Sequence, residues 1–182
     1  MSRFAICFAV SLVAWSCAWA QVPEFPQPQQ EHKWLAQLVG DWEVEAEMTM
    51  GPGQPAMQCT GTIETRKLGG FWVVSEVTNE MMGMKITALQ TIGYDAQAKQ
   101  FVGTWVDSMT DILWQYEGTL DATGKILTLE AEGPNMLTPG KTAKFRDIYE
   151  IKGPDEILTR SQMQTEDGEW MTFGTGVAKR KE

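Results

Sequence analysis

The chain has 182 residues, of which 43% are hydrophobic, and a formal net charge of −9 at pH 7. A length of this order suits one domain of ordinary size. The acidic surplus argues against nucleic acid or anionic lipid as a partner, because both require a basic face.

At the N-terminus Arg3 supplies a positive charge, an apolar run extends from Phe4 to Cys17, and Ala18-Trp19-Ala20 sets small residues at the two positions a signal peptidase reads. That order predicts a signal peptide over residues 1–20, cleaved after Ala20, and a periplasmic or extracellular location. The apolar run is shorter than the roughly 20 residues of a spanning helix and no second run follows, so no membrane span is expected. Cys17 opens a lipoprotein alternative, against which Trp15 occupies a position where a small residue is expected. Cys7 and Cys17 leave with the leader, so Cys59 remains as the single cysteine and no internal disulfide can form. Residues 21–30 carry three prolines and four glutamines and read as an extended tether.

The domain is expected over residues 31–182. Trp34, Leu35 and Leu38 fall at helical spacing within Glu31–Val39, and Gly40 ends that helix. From Asp41 to Met50 the chain alternates strictly, with Trp42, Val44, Ala46, Met48 and Met50 on one face and Glu43, Glu45, Glu47 and Thr49 on the other. Such alternation marks a strand with one buried face. Turn signals then recur at short intervals: Gly51–Gly53, Gly69-Gly70, Asn79–Gly83, Asp95–Lys99, Ser108–Thr110, Asp121–Gly124, Gly133–Gly140, Gly153–Asp155 and Glu166–Gly168. The runs between them are rich in Val, Ile, Thr and aromatic residues. Nine breaks define ten strands, and no helix-length segment separates them, which excludes parallel βαβ folds. YDAQAKQF and LDATGKIL show two hairpins built alike without establishing a repeat array. The fold class expected is all-β, an antiparallel up-and-down meander of about ten strands closed into a barrel, which removes exposed edges.

The helix followed by Gly40-Asp41-Trp42 resembles the G-x-W motif of lipocalins and fatty-acid-binding proteins. In those families the tryptophan plugs the closed end and a basic residue of the last strand packs over it. The resemblance nominates Gly40, Trp42 and Arg180, with Lys179 beside it, as the plug. A wider resemblance runs through EHKWLAQLVGDWEVEAEM, the Gly51-Pro52-Gly53 loop, LGGFWVV, GYD…FVGTWVDSM, LWQYEGTLD and KFRDIYEI. These segments are similar to a bacterial family known as domain-of-unknown-function family 1579, grouped with the lipocalin-like barrels. The chain departs from it at Met81–Met84 and in its export signal. The resemblance implies the barrel and brings no activity, ligand or catalytic residue.

No catalytic constellation, metal cluster or cofactor motif stands out, so no cofactor is expected. His32 is the only histidine and precedes the first strand. Triads, zinc sites and haem ligation of the nitrobindin type need histidines elsewhere or in number. His32 therefore reads as a helix histidine hydrogen-bonding at the barrel mouth, and Cys59 as a buried structural thiol. Trp105 and Asp107 share one strand face, as do Trp114 and Tyr116. Phe145, Asp147, Tyr149 and Ile151 alternate with Lys144, Arg146 and Ile148. An inward Asp needs a partner, and Arg146 and Arg160 are candidates, either for that role or as anchors for an acidic ligand. The candidate cavity residues are Trp105, Asp107, Trp114, Tyr116, Arg146, Asp147, Tyr149 and Met163.

The methionines crowd into the first half. Thioethers bind Cu(I), but Met48 and Met50 sit at positions where filling a core is the ordinary role, and the Met81–Met84 hairpin reads rather as an apolar cover over the mouth. The preferred function is binding or carrying a small hydrophobic or amphipathic molecule in an apolar cavity reached from the end opposite Trp42. The alternatives are a small-molecule enzyme using Asp107, Asp147 or Tyr116, and a solid barrel with a structural or interaction role. The oligomeric state is not legible.

Overall fold

The computed structural model describes residues 25–182. The leader of residues 1–20, and Cys17 with it, lies outside the described residues. Residues 25–29 are exposed, and Pro28 lies against Gly70. A short helix α1 (Gln30–Trp34) passes directly into a 3-10 turn, Leu35–Leu38. The amphipathic segment is thus tighter than the single α-helix its spacing predicts. It is too short to be stable alone and is held by its apolar side, with Trp34, Leu35 and Leu38 buried.

Ten antiparallel strands follow: β1 (Gly40–Met48), β2 (Met57–Leu68), β3 (Trp72–Met81), β4 (Met84–Asp95), β5 (Gln100–Asp107), β6 (Trp114–Leu120), β7 (Ile126–Pro134), β8 (Thr142–Gly153), β9 (Glu156–Gln164) and β10 (Trp170–Arg180). Each pairs with its sequence neighbours, and β10 pairs back onto β1 to close the barrel. Each of the nine turn signals lies at or overlaps a link between consecutive strands, and those at Asn79, Asp95, Gly133 and Gly153 begin inside a strand end. Closure follows from the alternation: every strand has an inward face, and only a closed sheet covers all of them without leaving an unpaired edge. The expected first strand is shorter than its alternation, since β1 ends at Met48 and Met50 is 59% exposed as the chain turns into Gly51.

The helical segment lies at one end of the barrel. There Trp42 is buried, its indole Nε1 donates to the Leu38 carbonyl at 3.0 Å, and the Arg180 guanidinium lies 4.1 Å from the centre of its ring. Arg180 also donates from Nη1 to the Val39 carbonyl at 2.8 Å. Gly40 holds φ at +135°, and a Cβ there would collide with Arg180 Nη1. This explains physically why glycine stands at that position. His32 belongs to this closed end and not to the mouth: its Nδ1 accepts from the Gln29 backbone N–H at 2.9 Å, and its ring packs edge-on against Phe71 and Tyr94. The Trp34 indole donates to the Gly124 carbonyl, tying the helix to the β6–β7 turn.

Candidate functional site

Residues directly opposed in an antiparallel pair point to the same side of the sheet, so the register identifies the inner wall. Trp42 opposes Ile63, which opposes Val77. Gln90 opposes Trp105, which opposes Trp114. Leu129 opposes Asp147, which opposes Ser161. Trp105, Asp107, Trp114, Tyr116, Asp147, Tyr149 and Met163 therefore all face inward. Arg146 does not. It shares a register position with Glu130 and Gln162 on the outer wall, where its Nε donates to Gln162 Oε1 at 2.7 Å and its guanidinium covers the Trp170 ring at 4.0 Å. Arg160 is exposed and also faces outward, opposite Ile148. Neither arginine reaches Asp147. Strand parity is the reason: a residue next to an inward one points out.

Asp147 is held instead by two hydroxyls. Tyr116 donates to Oδ2 and Ser161 to Oδ1, each at 2.6 Å. It enters no ion pair among the described residues. Removal from water pushes its carboxyl up from the ordinary value, against the opposing pull of the Ser161 and Tyr116 hydrogen bonds. Burial, reinforced by the charge of Asp147, also pushes the phenols of Tyr116 and Tyr149 upward. A carboxylate offers about four acceptor positions, so two hydroxyl donors leave it with spare capacity.

One step towards the closed end, a bar crosses the lumen. Gln90 on β4 donates from Nε2 to the Tyr149 hydroxyl at 2.8 Å, and that hydroxyl lies 3.2 Å from Gln90 Oε1, joining two strands far apart around the barrel. Beneath the bar Leu127, Leu129, Ile92 and Phe101 are almost wholly buried, so that half of the barrel is solid. On the mouth side Trp105, Trp114, Asp147, Tyr149 and Ser161 face inward yet remain partly accessible. The interior thus has a solid lower half and, above the bar, an upper layer of partly accessible inward side chains over a polar floor, called the cup below.

Its upper wall is aromatic. Trp114 meets Phe145 edge to face at 4.9 Å, and Phe145 meets Phe173 at 6.1 Å. Gly133 makes room for the Trp114 ring, which a Cβ would strike. Met163 is fully buried behind this group. Asp107 is engaged at the rim, where it accepts from the Trp105 indole at 2.9 Å and from the backbone N–H groups of Met109 and Thr110, fixing the β5–β6 loop. The concavity of about 470 Å³ at this end is a polar groove on the rim between the β7–β8 and β9–β10 loops, bordered by Glu132, Asn135, Lys141 and Glu166, and not the apolar cavity expected.

Sequence reasoning missed Gln90 and Ser161. Both lie at inward parity, Gln90 between Ala88 and Ile92, and Ser161 between Thr159 and Met163. A polar residue in an inward row is the signal that marks them. Among the described residues every buried side-chain polar atom has a partner, no His, Cys, Asp and Glu are grouped to hold a metal ion, and no helix is long and apolar enough to cross a membrane.

A family model described as "Protein of unknown function (DUF1579)" matches residues 27–180. No curated protein matches the chain. Among solved structures, Rv2717c from M. tuberculosis is similar at 15% identity with a TM-score of 0.65, covering 86% of this chain and 100% of that one. The S-type phycobiliprotein lyase CPES from Guillardia theta is similar at 12% identity with a TM-score of 0.57, covering 85% and 99%. At these identities the likeness is one of fold.

Proposed function

The chain belongs to the DUF1579 family, whose description assigns no activity, and from the geometry of the cup we propose that it binds a small amphipathic molecule at the mouth side of the Gln90–Tyr149 bar. The observation that supports this reading is Asp147: a carboxylate inside an apolar barrel, held only by hydroxyl donors and unpaired with any cation among the described residues. Such a group is stabilised by a guest that brings N–H or cationic donors to its free lone pairs. The aromatic wall of Trp105, Trp114 and Phe145 suits a flat apolar body above that polar end. The acidic balance of the chain agrees with a cationic or neutral guest and disfavours an anionic one.

Native mass spectrometry of the protein purified from its own host tests the reading. A retained small molecule with basic or N–H groups is expected, together with its loss from Asp147→Asn. An empty wild-type protein that also leaves Trp105 and Trp114 fluorescence unmoved by a panel of aromatic amines would overturn it.

A second reading rests on the contact between Tyr116 and Asp147. A phenol and a carboxyl 2.6 Å apart, both shifted upward, form the converging acid–base pair that small-molecule catalysis needs. Turnover of the retained molecule that disappears in Tyr116→Phe, with binding kept, selects this reading over simple carriage.

A further inference from the structure

Sulfur is distributed unevenly along the barrel wall. Apart from Met1, which lies outside the described residues, every methionine sits on the mouth half of a strand or on a mouth loop. The inner faces of β1, β2 and β3 change composition at mid-strand. Towards the closed end their inward positions include Val44, Ile63, Val73 and Val77 beside the hydrogen-bonded pair Thr65 and Ser75; towards the mouth they hold Met48, Met57, Cys59 and Met81 beside Ala46, Gly61 and Asn79.

The register brings these sulfurs together. Met48 is directly opposed to Met57, and Cys59 is directly opposed to Met81. Opposed residues have Cβ atoms about 4.5–5.5 Å apart, and Met57 precedes Cys59 by two positions on the same face. Ala46, opposite Cys59, and Gly176, opposite Ala46, leave the adjoining wall low. Cys59 and Met81 are buried, Met57 is half-buried, and the mouth lies just beyond them. The sulfur is thus concentrated on one patch of the mouth-side wall, and the closed-end half of the same strands carries none.

We propose that Cys59, Met57 and Met81 form a binding site for one Cu(I) ion on the inner wall of the mouth. One thiol and two thioethers are a soft donor set, which selects Cu(I) over the harder divalent ions. Binding replaces the thiol proton: the S–H bond breaks, the proton leaves to solvent, and a copper–sulfur bond forms with no change in oxidation state. The resulting thiolate–Cu(I) pair is neutral, which suits a buried position on the wall. Met57's three rotatable bonds let its sulfur close on the ion from a half-open position. This site is independent of the guest proposed for the cup, since its ligands lie on β2 and β3 and not on the Asp147 wall.

The test is anaerobic titration with Cu(I) against a chromophoric Cu(I) chelator, on the full chain with Cys7→Ser and Cys17→Ser so that Cys59 is the only thiol. The expected result is one tightly held Cu(I) per chain with release of one proton. Changes to the surroundings of metal ligands commonly weaken binding about 10–100-fold, so losing a ligand should weaken it at least about tenfold. Met57→Leu, a volume-conserving change, is expected to show that loss, while Met109→Leu on the β5–β6 loop is not. Cys59→Ser should abolish the proton release. In the otherwise unmodified barrel, Cu(I) should also protect Cys59 from alkylation, read on the peptide that contains it. Equal binding by the Met57→Leu and Met109→Leu proteins, or no protection of Cys59 at one equivalent of Cu(I), would overturn the proposal.

Discussion

The two ends of this barrel are built from different materials. At the closed end Trp42, Leu35, Leu38 and Phe101 are packed solid, and Arg180 spans from β10 to the Val39 carbonyl to lock them. At the mouth Met50, Met82, Met84, Met109, Leu113 and Leu137 stand exposed on successive loops, above a floor of hydrogen-bonded polar groups. One end is stabilised by burial and fixed geometry. The other leaves more apolar surface in water, where the closed end exposes chiefly Leu68 and Trp72, and it holds a carboxylate without a counter-ion among the described residues, features that oppose stability and serve recognition. The difference separates what holds the fold from what is available for binding.

The contrast is most exposed to disproof at Trp42. Trp42→Ala removes the largest buried side chain of the closed end and the platform for Arg180, and should lower stability by about 3–5 kcal/mol; urea unfolding measures it. If the closed end tolerates that loss, the division of labour is wrong. Tyr149→Phe removes the hydroxyl that meets the buried Gln90 amide, and should lower stability by about 1–3 kcal/mol in the same assay. A smaller value would mean that water or a guest takes over the partner role of the phenol.

Two carboxylates separate the ends further through pH. Asp121, on the β6–β7 turn of the closed end, accepts from the Thr123 hydroxyl and from the N–H groups of Ile126 and Lys125, and its pKa is lowered to about 2. A lowered carboxylate contributes stability above its ordinary value, and that contribution is lost as pH falls towards 2. Asp147 is raised, so the sign reverses: its contribution is whole below the ordinary carboxylate value of about 4 and is lost as pH rises through its own higher value. Asp147→Asn should therefore gain stability relative to wild type as pH rises above about 4, read from denaturation midpoints across a pH series. A difference that stays flat with pH would show that removal from water does not shift this carboxyl. The smallest effect is expected at the rim: Met82→Ser, at a side chain 76% exposed, should change stability by less than about 0.5 kcal/mol. A larger loss would mean that Met82 packs against another part of the protein.

Much of the architecture was legible in the amino-acid order. Nine turn signals place the strand boundaries because Gly, Pro, Asn and Asp are the residues that reverse a chain, and the alternation from Trp42 to Met48 identifies the buried face because side chains on a strand repeat every two residues. The same parity already sets Arg146 opposite to Asp147, so its exclusion from the lumen was available along the chain. It was the demand for a charged partner that favoured it wrongly.

What only the folded chain decided is which inward residues meet. Gln90 and Tyr149 are 59 positions apart, and Tyr116 reaches Asp147 across β7. Local pattern specifies the direction of a side chain, whereas contact across a lumen depends on strand number, register and closure acting together. The order of residues determined a ten-strand barrel with Trp42 on its inner face. The tertiary structure decided that Asp147 is satisfied by hydroxyls and not by arginine, that a bar of Gln90 and Tyr149 divides solid core from cup, and that the sulfurs of β1–β3 share one wall of the mouth.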